Sequence, residues 1–108
     1  MFVGCDEGKV VALDVAEGGR TLGTARTGGG VDGIAYDPNH AHLYVPGARA
    51  ATLTVIEVGP LGALEVLGAV PTSPGAHCAA ADHRGHVYIC DPRGGRLLVI
   101  ADPYPASR

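Results

Sequence analysis

Apolar and polar positions alternate along this chain in short runs, each cut off by glycine, proline, aspartate or asparagine. The cleanest run is Thr52–Val58, where Leu53, Val55 and Glu57 fall on one face and Thr54, Ile56 and Val58 on the other. Such alternation is the pattern of a β-strand whose side chains point to opposite sides. The same criterion predicts strands over residues 2–4, 9–15, 20–26, 31–36, 42–45, 52–58, 63–70, 77–81, 86–89 and 96–101. Turn chemistry separates them. Glu17-Gly18-Gly19 closes a hairpin, Asp37-Pro38-Asn39 presets a tight turn, Pro46-Gly47 ends the strand from His42, and Gly59-Pro60-Leu61-Gly62 forms a loop. Two residues of Asp102-Pro103-Tyr104-Pro105 lack an amide donor, so no strand is expected there. No window sustains a helical apolar period, which leaves no place for a long helix.

The strands recur as a unit. Gly33-Ile34-Ala35-Tyr36-Asp37-Pro38 aligns with Cys78-Ala79-Ala80-Ala81-Asp82-His83, and Leu43-Tyr44-Val45 with Val87-Tyr88-Ile89. Thr52-Leu53-Thr54-Val55-Ile56 aligns with Arg96-Leu97-Leu98-Val99-Ile100; Phe2-Val3 and Lys9-Val10-Val11-Ala12-Leu13 join the same register. A repeat of roughly 40–45 residues made of short strands is the period of a β-propeller blade. With strands named A to D from the channel outward, residues 1–30 supply B-C-D, 31–73 a complete blade, and 74–108 A-B-C with a tail. The expected fold is all-β: a partial β-propeller of about two and a half four-stranded antiparallel blades.

Propellers close with about four to eight blades, so further blades of the same ring or self-association are expected. A first strand in the B register cannot complete the last blade, which reads as an authentic C-terminal end and a truncated N-terminal one. Phe2, Tyr44 and Tyr88 share a strand-B position and are assigned to inter-blade packing. Val3, Val10 and Ala12 are expected to lack a covering blade at one end, and Leu98 and Ile100 at the other. Open apolar faces of this kind promote association.

Composition narrows the chemistry. Apolar residues make up 46% of the chain but only 5% are aromatic, so the core must be packed by Val, Leu, Ile and Ala. The net charge is −3 and the cations are scattered, which argues against nucleic acid or an anionic membrane as partner. No apolar run approaches the ~18 residues of a membrane span, and Met1-Phe2-Val3 is expected to enter a strand at once, so these residues do not read as a signal peptide. Cys5, Cys78 and Cys90 are odd in number and lack CxxC spacing. They are expected as unpaired thiols, a Cys5–Cys90 pair being the one alternative considered, with no disulfide framework or zinc site.

Val31-Asp32-Gly33-Ile34-Ala35-Tyr36-Asp37-Pro38, then Leu43-Tyr44-Val45, then Leu53-Thr54-Val55-Ile56, resembles the YVTN-type β-propeller repeat, with Leu43-Tyr44-Val45 at the name-giving motif. The resemblance spans nearly the whole chain. It departs from the pattern at Pro46-Gly47, at Glu57 where Asp is usual, and at His83 where Pro is usual. It implies the C-terminal part of a seven-bladed propeller similar to bacterial extracytoplasmic binding proteins and archaeal surface-layer proteins, hence a periplasmic or extracellular location. Lactonases and quinoprotein or haem-linked propellers are look-alikes, and Asp6–Asp14 resembles a quinoprotein-type repeat without its usual Trp.

Asp32 and His77 are equivalent by alignment and stand at the entry to strand A, where propeller ligands gather. A carboxylate and an imidazole there suit ligand binding, and these two are the candidate site; no catalytic residue, metal site or cofactor is assigned. Gly28-Gly29-Gly30 opens no helix and lacks the Lys-Ser/Thr of a phosphate loop, so it reads as a flexible blade-to-blade linker. Asp37 and Asp82 recur in A–B turns and read as turn residues. His40, His42, His83 and His86 read as solvent-exposed turn residues. No Ser-His-Asp set is evident from spacing; the serines are Ser73 and Ser107, and a serine nucleophile would have to be Ser73, whose only evident partner is His77. The functional expectation is a non-enzymatic binding or scaffold module for a small ligand or protein. The rival is a fragment of a propeller enzyme or redox subunit.

Overall fold

A computed structural model describes residues 1–107. Ten strands form three antiparallel sheets, and the only helical element among the described residues is a single turn at Val15–Glu17. Blade 1 holds β1 (Phe2–Cys5), β2 (Lys9–Asp14) and β3 (Arg20–Arg26); blade 2 holds β4 (Ala35–Asp37), β5 (His42–Gly47), β6 (Thr52–Val58) and β7 (Leu64–Pro71). Blade 3 holds β8 (Ala79–Ala81), β9 (His86–Asp91) and β10 (Arg96–Ala101). The architecture is a partial propeller with strand pattern B-C-D, A-B-C-D, A-B-C.

The repeat extends to the irregularities. The pairing slips between Ala12 and Leu13 in blade 1 and between Val55 and Ile56 in blade 2, which are equivalent positions. Each slip leaves one leucine unpaired on the outer strand, Leu22 and Leu67. A bulge at one place in successive blades sets the same local twist in each.

The core lies between the sheets. Val10 of blade 1 packs against Val31, Leu43, Val45 and Ile56 of blade 2, with Phe2 and Tyr36 beside them. Tyr44, Leu53 and Val55 of blade 2 pack against Ala76, Val87 and Ile89 of blade 3. Blade 2 therefore buries both faces, and the alternation of β6 is the physical cause: Leu53 and Val55 face blade 3 while Ile56 and Val58 face blade 1.

Several expectations need correction. Val10 and Ala12 are 0% and 2% exposed, because the blade-1 face that carries them meets blade 2. At the other end Leu98 and Ile100 turn inward to the core, and Leu97 and Val99 are the exposed pair. Strand A of blade 2 is confined to Ala35–Asp37, with Val31 making only an isolated bridge to Gly47. Pro46-Gly47 does not end strand B, since β5 continues through both. The equivalent nitrogen in blade 3, Cys90 N, donates to Cys78 O on the strand-A side. Pro46 has no such donor, and β4–β5 pairing has already stopped at Ala35–Tyr44, so the proline disrupts nothing there.

The cysteine expectation is overturned as well. Cys78 and Cys90 form a disulfide with Cα atoms 5.4 Å apart, and Cys5 is the free thiol. The β8–β9 ladder pairs Ala79 with Ile89, and one step further places Cys78 opposite Cys90. The tail is ordered by packing although it is no strand. Gly23 of blade 1 lies under the blade-2 loop at Gly62–Leu64, and its equivalent Gly68 lies under the Tyr104 hydroxyl. The tail thus crosses blade 2 where the Gly62–Leu64 loop crosses blade 1, and Tyr104 joins the second core.

Candidate functional site

The turns between strands B and C, and the connections leading into strand A, converge on one open cleft of about 700 Å³. Its charged and polar lining is Asp6, Asp32, Arg49, His77 and Arg93. All three blades contribute: Asp6 from the β1–β2 turn, Arg49 from the β5–β6 turn, Arg93 from the β9–β10 turn, and Asp32 and His77 from the segments entering blades 2 and 3. The structure thus brings Asp32 and His77 to the same cleft. Spacing singles out neither arginine, although the offset that equates Tyr44 with Tyr88 also equates Arg49 with Arg93.

The glycines of the entry segments bring the arginines close. Gly30 has φ +86°, and a Cβ there would lie 2.5 Å from the backbone nitrogen of Arg49. Its equivalent Gly75 has φ +87°, and a Cβ there would meet the Arg93 side chain at 3.0 Å. Both positions need glycine for conformation and for space. Gly28-Gly29-Gly30 is accordingly a fixed element rather than a flexible linker. Gly30 N donates to Asp6 O at 2.8 Å, and the Gly29 and Gly30 carbonyls accept from the amides of Ala48, Arg49 and Ala50.

The charges in the cleft are unequally satisfied. Arg49 holds Asp6 through a 3.7 Å ion pair and a 3.1 Å bond to its carbonyl. Among the described residues Arg93 and Asp32 have no ion pair or side-chain hydrogen bond. His77 Nδ1 donates to Gly75 O at 2.9 Å, which puts a ring hydrogen on Nδ1 and leaves Nε2, in the neutral ring, as an acceptor. No three His, Cys, Asp or Glu side chains group as a metal site needs, among the described residues. The cleft offers a free guanidinium, a free carboxylate and an imidazole acceptor on a partly apolar floor that includes Val31 and Ala48.

A second constellation lies at the tail. His42 is fully buried, which corrects its assignment as an exposed turn residue. Its Nδ1 bonds Asp102 Oδ2 at 2.6 Å and its Nε2 bonds Ser107 Oγ at 2.8 Å. Tyr44 donates its hydroxyl to the same Asp102 oxygen at 2.6 Å, and Tyr104 N donates to Oδ1 at 2.9 Å. Burial pushes the Asp102 carboxyl up, but the bonds from Tyr44, His42 and Tyr104 outweigh it and hold the group below the usual carboxylate range. Burial first, then the bond to Asp102, pushes the Tyr44 phenol far up. Spacing missed this set because its members are 58 to 65 residues apart and meet only when the tail folds back.

The turn aspartates behave as the repeat suggested. Asp37 accepts from Asn39 N at 2.8 Å and bonds His40 Nδ1 at 2.6 Å; Asp82 accepts from Arg84 N and bonds His86 Nδ1, both at 2.8 Å. Desolvation raises the Asp82 carboxyl, and the bonds from Arg84, His86 and Tyr88 overcome it, leaving a value of about 2. His83 adopts φ +66°, the left-handed turn conformation, where blade 2 has Pro38 in its alignment.

No protein-family model matches the chain, and no curated protein matches it.

Proposed function

We propose that this chain is a non-enzymatic binding module of the YVTN-propeller type, and that its cleft takes a small polar ligand carrying an anionic group. The observation that carries the reading is the pair Arg93 and Asp32, opposite charges left unpaired on one cleft. An anionic group on the ligand meets Arg93, and a hydrogen-bond donor meets Asp32 and the free nitrogen of His77. The cleft volume falls within the range of small-molecule sites, about 300–1,000 Å³. The Cys78–Cys90 disulfide supports an extracytoplasmic setting, since such bonds persist where the surroundings are oxidising.

Titration with glycine, a zwitterion, and with succinate, a dianion, followed by amide and side-chain NMR, tests the assignment. Shifts centred on Arg93, His77 and Asp32 that vanish in Arg93→Gln are expected. Shifts elsewhere, or none at millimolar probe, defeat it.

The rival reading, a hydrolase fragment, draws on Ser107–His42–Asp102, which has the order of an acyl-transfer relay. Its surroundings favour a structural pin. His42 has no exposed surface, Tyr44 occupies the same carboxylate oxygen, and Ser107 is not among the residues lining the cleft. A fluorophosphonate probe separates the two readings: a binder leaves Ser107 unlabelled, whereas labelling lost in His42→Gln establishes the hydrolase.

A further inference from the structure

Each blade buries an apolar face against the next, and the positions that do so repeat. Blade 1 presents Phe2, Val10 and Ala12 to blade 2, and blade 2 presents Tyr44, Leu53 and Val55 to blade 3. Val10, Ala12, Leu53 and Val55 are all 2% exposed or less. The equivalents on blade 3 are Tyr88, Leu97 and Val99, and there the face is open: Leu97 is 58% and Val99 57% exposed. The Tyr44 hydroxyl crosses its blade boundary to Asp102, whereas the Tyr88 hydroxyl turns back to Asp82 of its own blade at 3.2 Å.

The opposite face repeats too. Blade 2 offers Leu43, Val45 and Ile56 to blade 1, and blade 3 offers Val87, Ile89 and Ile100 to blade 2. The equivalents on blade 1 are Met1, Val3 and Leu13, of which Met1 is 69% and Val3 38% exposed. One chain therefore carries, at opposite ends, the two halves of a contact that it already makes twice internally.

We infer that a second copy of this chain covers these faces, with Met1, Val3 and Leu13 of one copy seated on Tyr88, Leu97 and Val99 of the other. The contact is heterologous, so it generates either a ring or an open filament. Two copies supply six blades, within the four to about eight of closed propellers, whereas three supply nine. The assembly is a closed dimer with two identical contacts. This inference is independent of the ligand in the cleft.

Light scattering coupled to size exclusion reads the outcome. The wild-type chain is expected at twice its 10.9 kDa mass. Leu97→Asp/Val99→Asp blocks one half of the contact and Val3→Asp the other. Each variant alone is expected to be monomeric, with a dissociation constant raised more than about tenfold. Their equimolar mixture restores a one-to-one pair through the single intact contact. Circular dichroism checks the fold, and Val99→Thr, which keeps the shape with less apolar area, serves where the Asp variant does not fold. A monomeric wild type, or a mixture that stays monomeric, overturns the inference. So does a Val3→Asp variant that still dimerises, because the Leu97–Val99 face is then pairing with itself. A mass that climbs without limit replaces the ring by a filament and overturns the closed dimer.

Discussion

Replacing Asp102 by Ala should unfasten the tail at a cost that can be worked from the contacts. The carboxylate accepts from Tyr44, His42 and Tyr104 N, at 2.6, 2.6 and 2.9 Å. Tyr44 and His42 are both fully buried, so removing the acceptor strands two donors away from water. An orphaned buried donor costs about 1–3 kcal/mol. For two donors the total expected is about 2–6 kcal/mol, less if the tail detaches and lets water reach His42. Tyr44→Phe on the Asp102→Ala background removes one orphan, so the double variant should be about 1–2 kcal/mol more stable than additivity demands. Urea unfolding followed by circular dichroism, at one protein concentration for all variants, gives the four free energies of the cycle. A cost below about 0.5 kcal/mol for Asp102→Ala, or strict additivity with Tyr44→Phe, would refute the pinned-tail account.

Other consequences follow from the same geometry. The Cys78–Cys90 bond closes a loop with a sequence separation of 12, so Cys78→Ser/Cys90→Ser should lose about 3 kcal/mol, read as a lower urea midpoint that reductant reproduces in the wild type. Gly30→Ala forces a left-handed backbone on alanine and drives its Cβ against Arg49 N, which should cost at least about 1–3 kcal/mol, whereas Gly18→Ala, with open space around it, should cost only its φ strain. Asp82 is held at about 2, Asp91 is held low by Arg96 Nε and Gly94 N, and Asp102 is held low as described. A depressed folded value stabilises above the unfolded carboxyl range, near 4, and that stabilisation is lost as pH falls through the folded value. Stability should therefore be level down to about pH 4 and fall steeply toward about pH 2; a chain equally stable across that window contradicts the assignment.

The alternation of Thr52–Val58 and the repeat from Tyr44 to Tyr88 determined the strands and the all-β class, because strand faces and turns depend on neighbours a few residues apart. The same register made Asp32 and His77 equivalent, which was enough to put them on one cleft once the blades stacked alike. Which way each face points was decided only by stacking. Alternation separates Leu97 and Val99 from Leu98 and Ile100, but both pairs are apolar, and only the position of blade 2 selects the buried one. The Cys78–Cys90 bond was latent in the hairpin register, which a turn of uncertain length leaves undetermined until Ala79 is seen opposite Ile89. The pin of Tyr44, His42, Asp102 and Ser107 left no local trace. Pro103 and Pro105 exclude a strand, but where a non-strand tail packs is set by the space above Gly68 and by buried donors that lack any nearer acceptor.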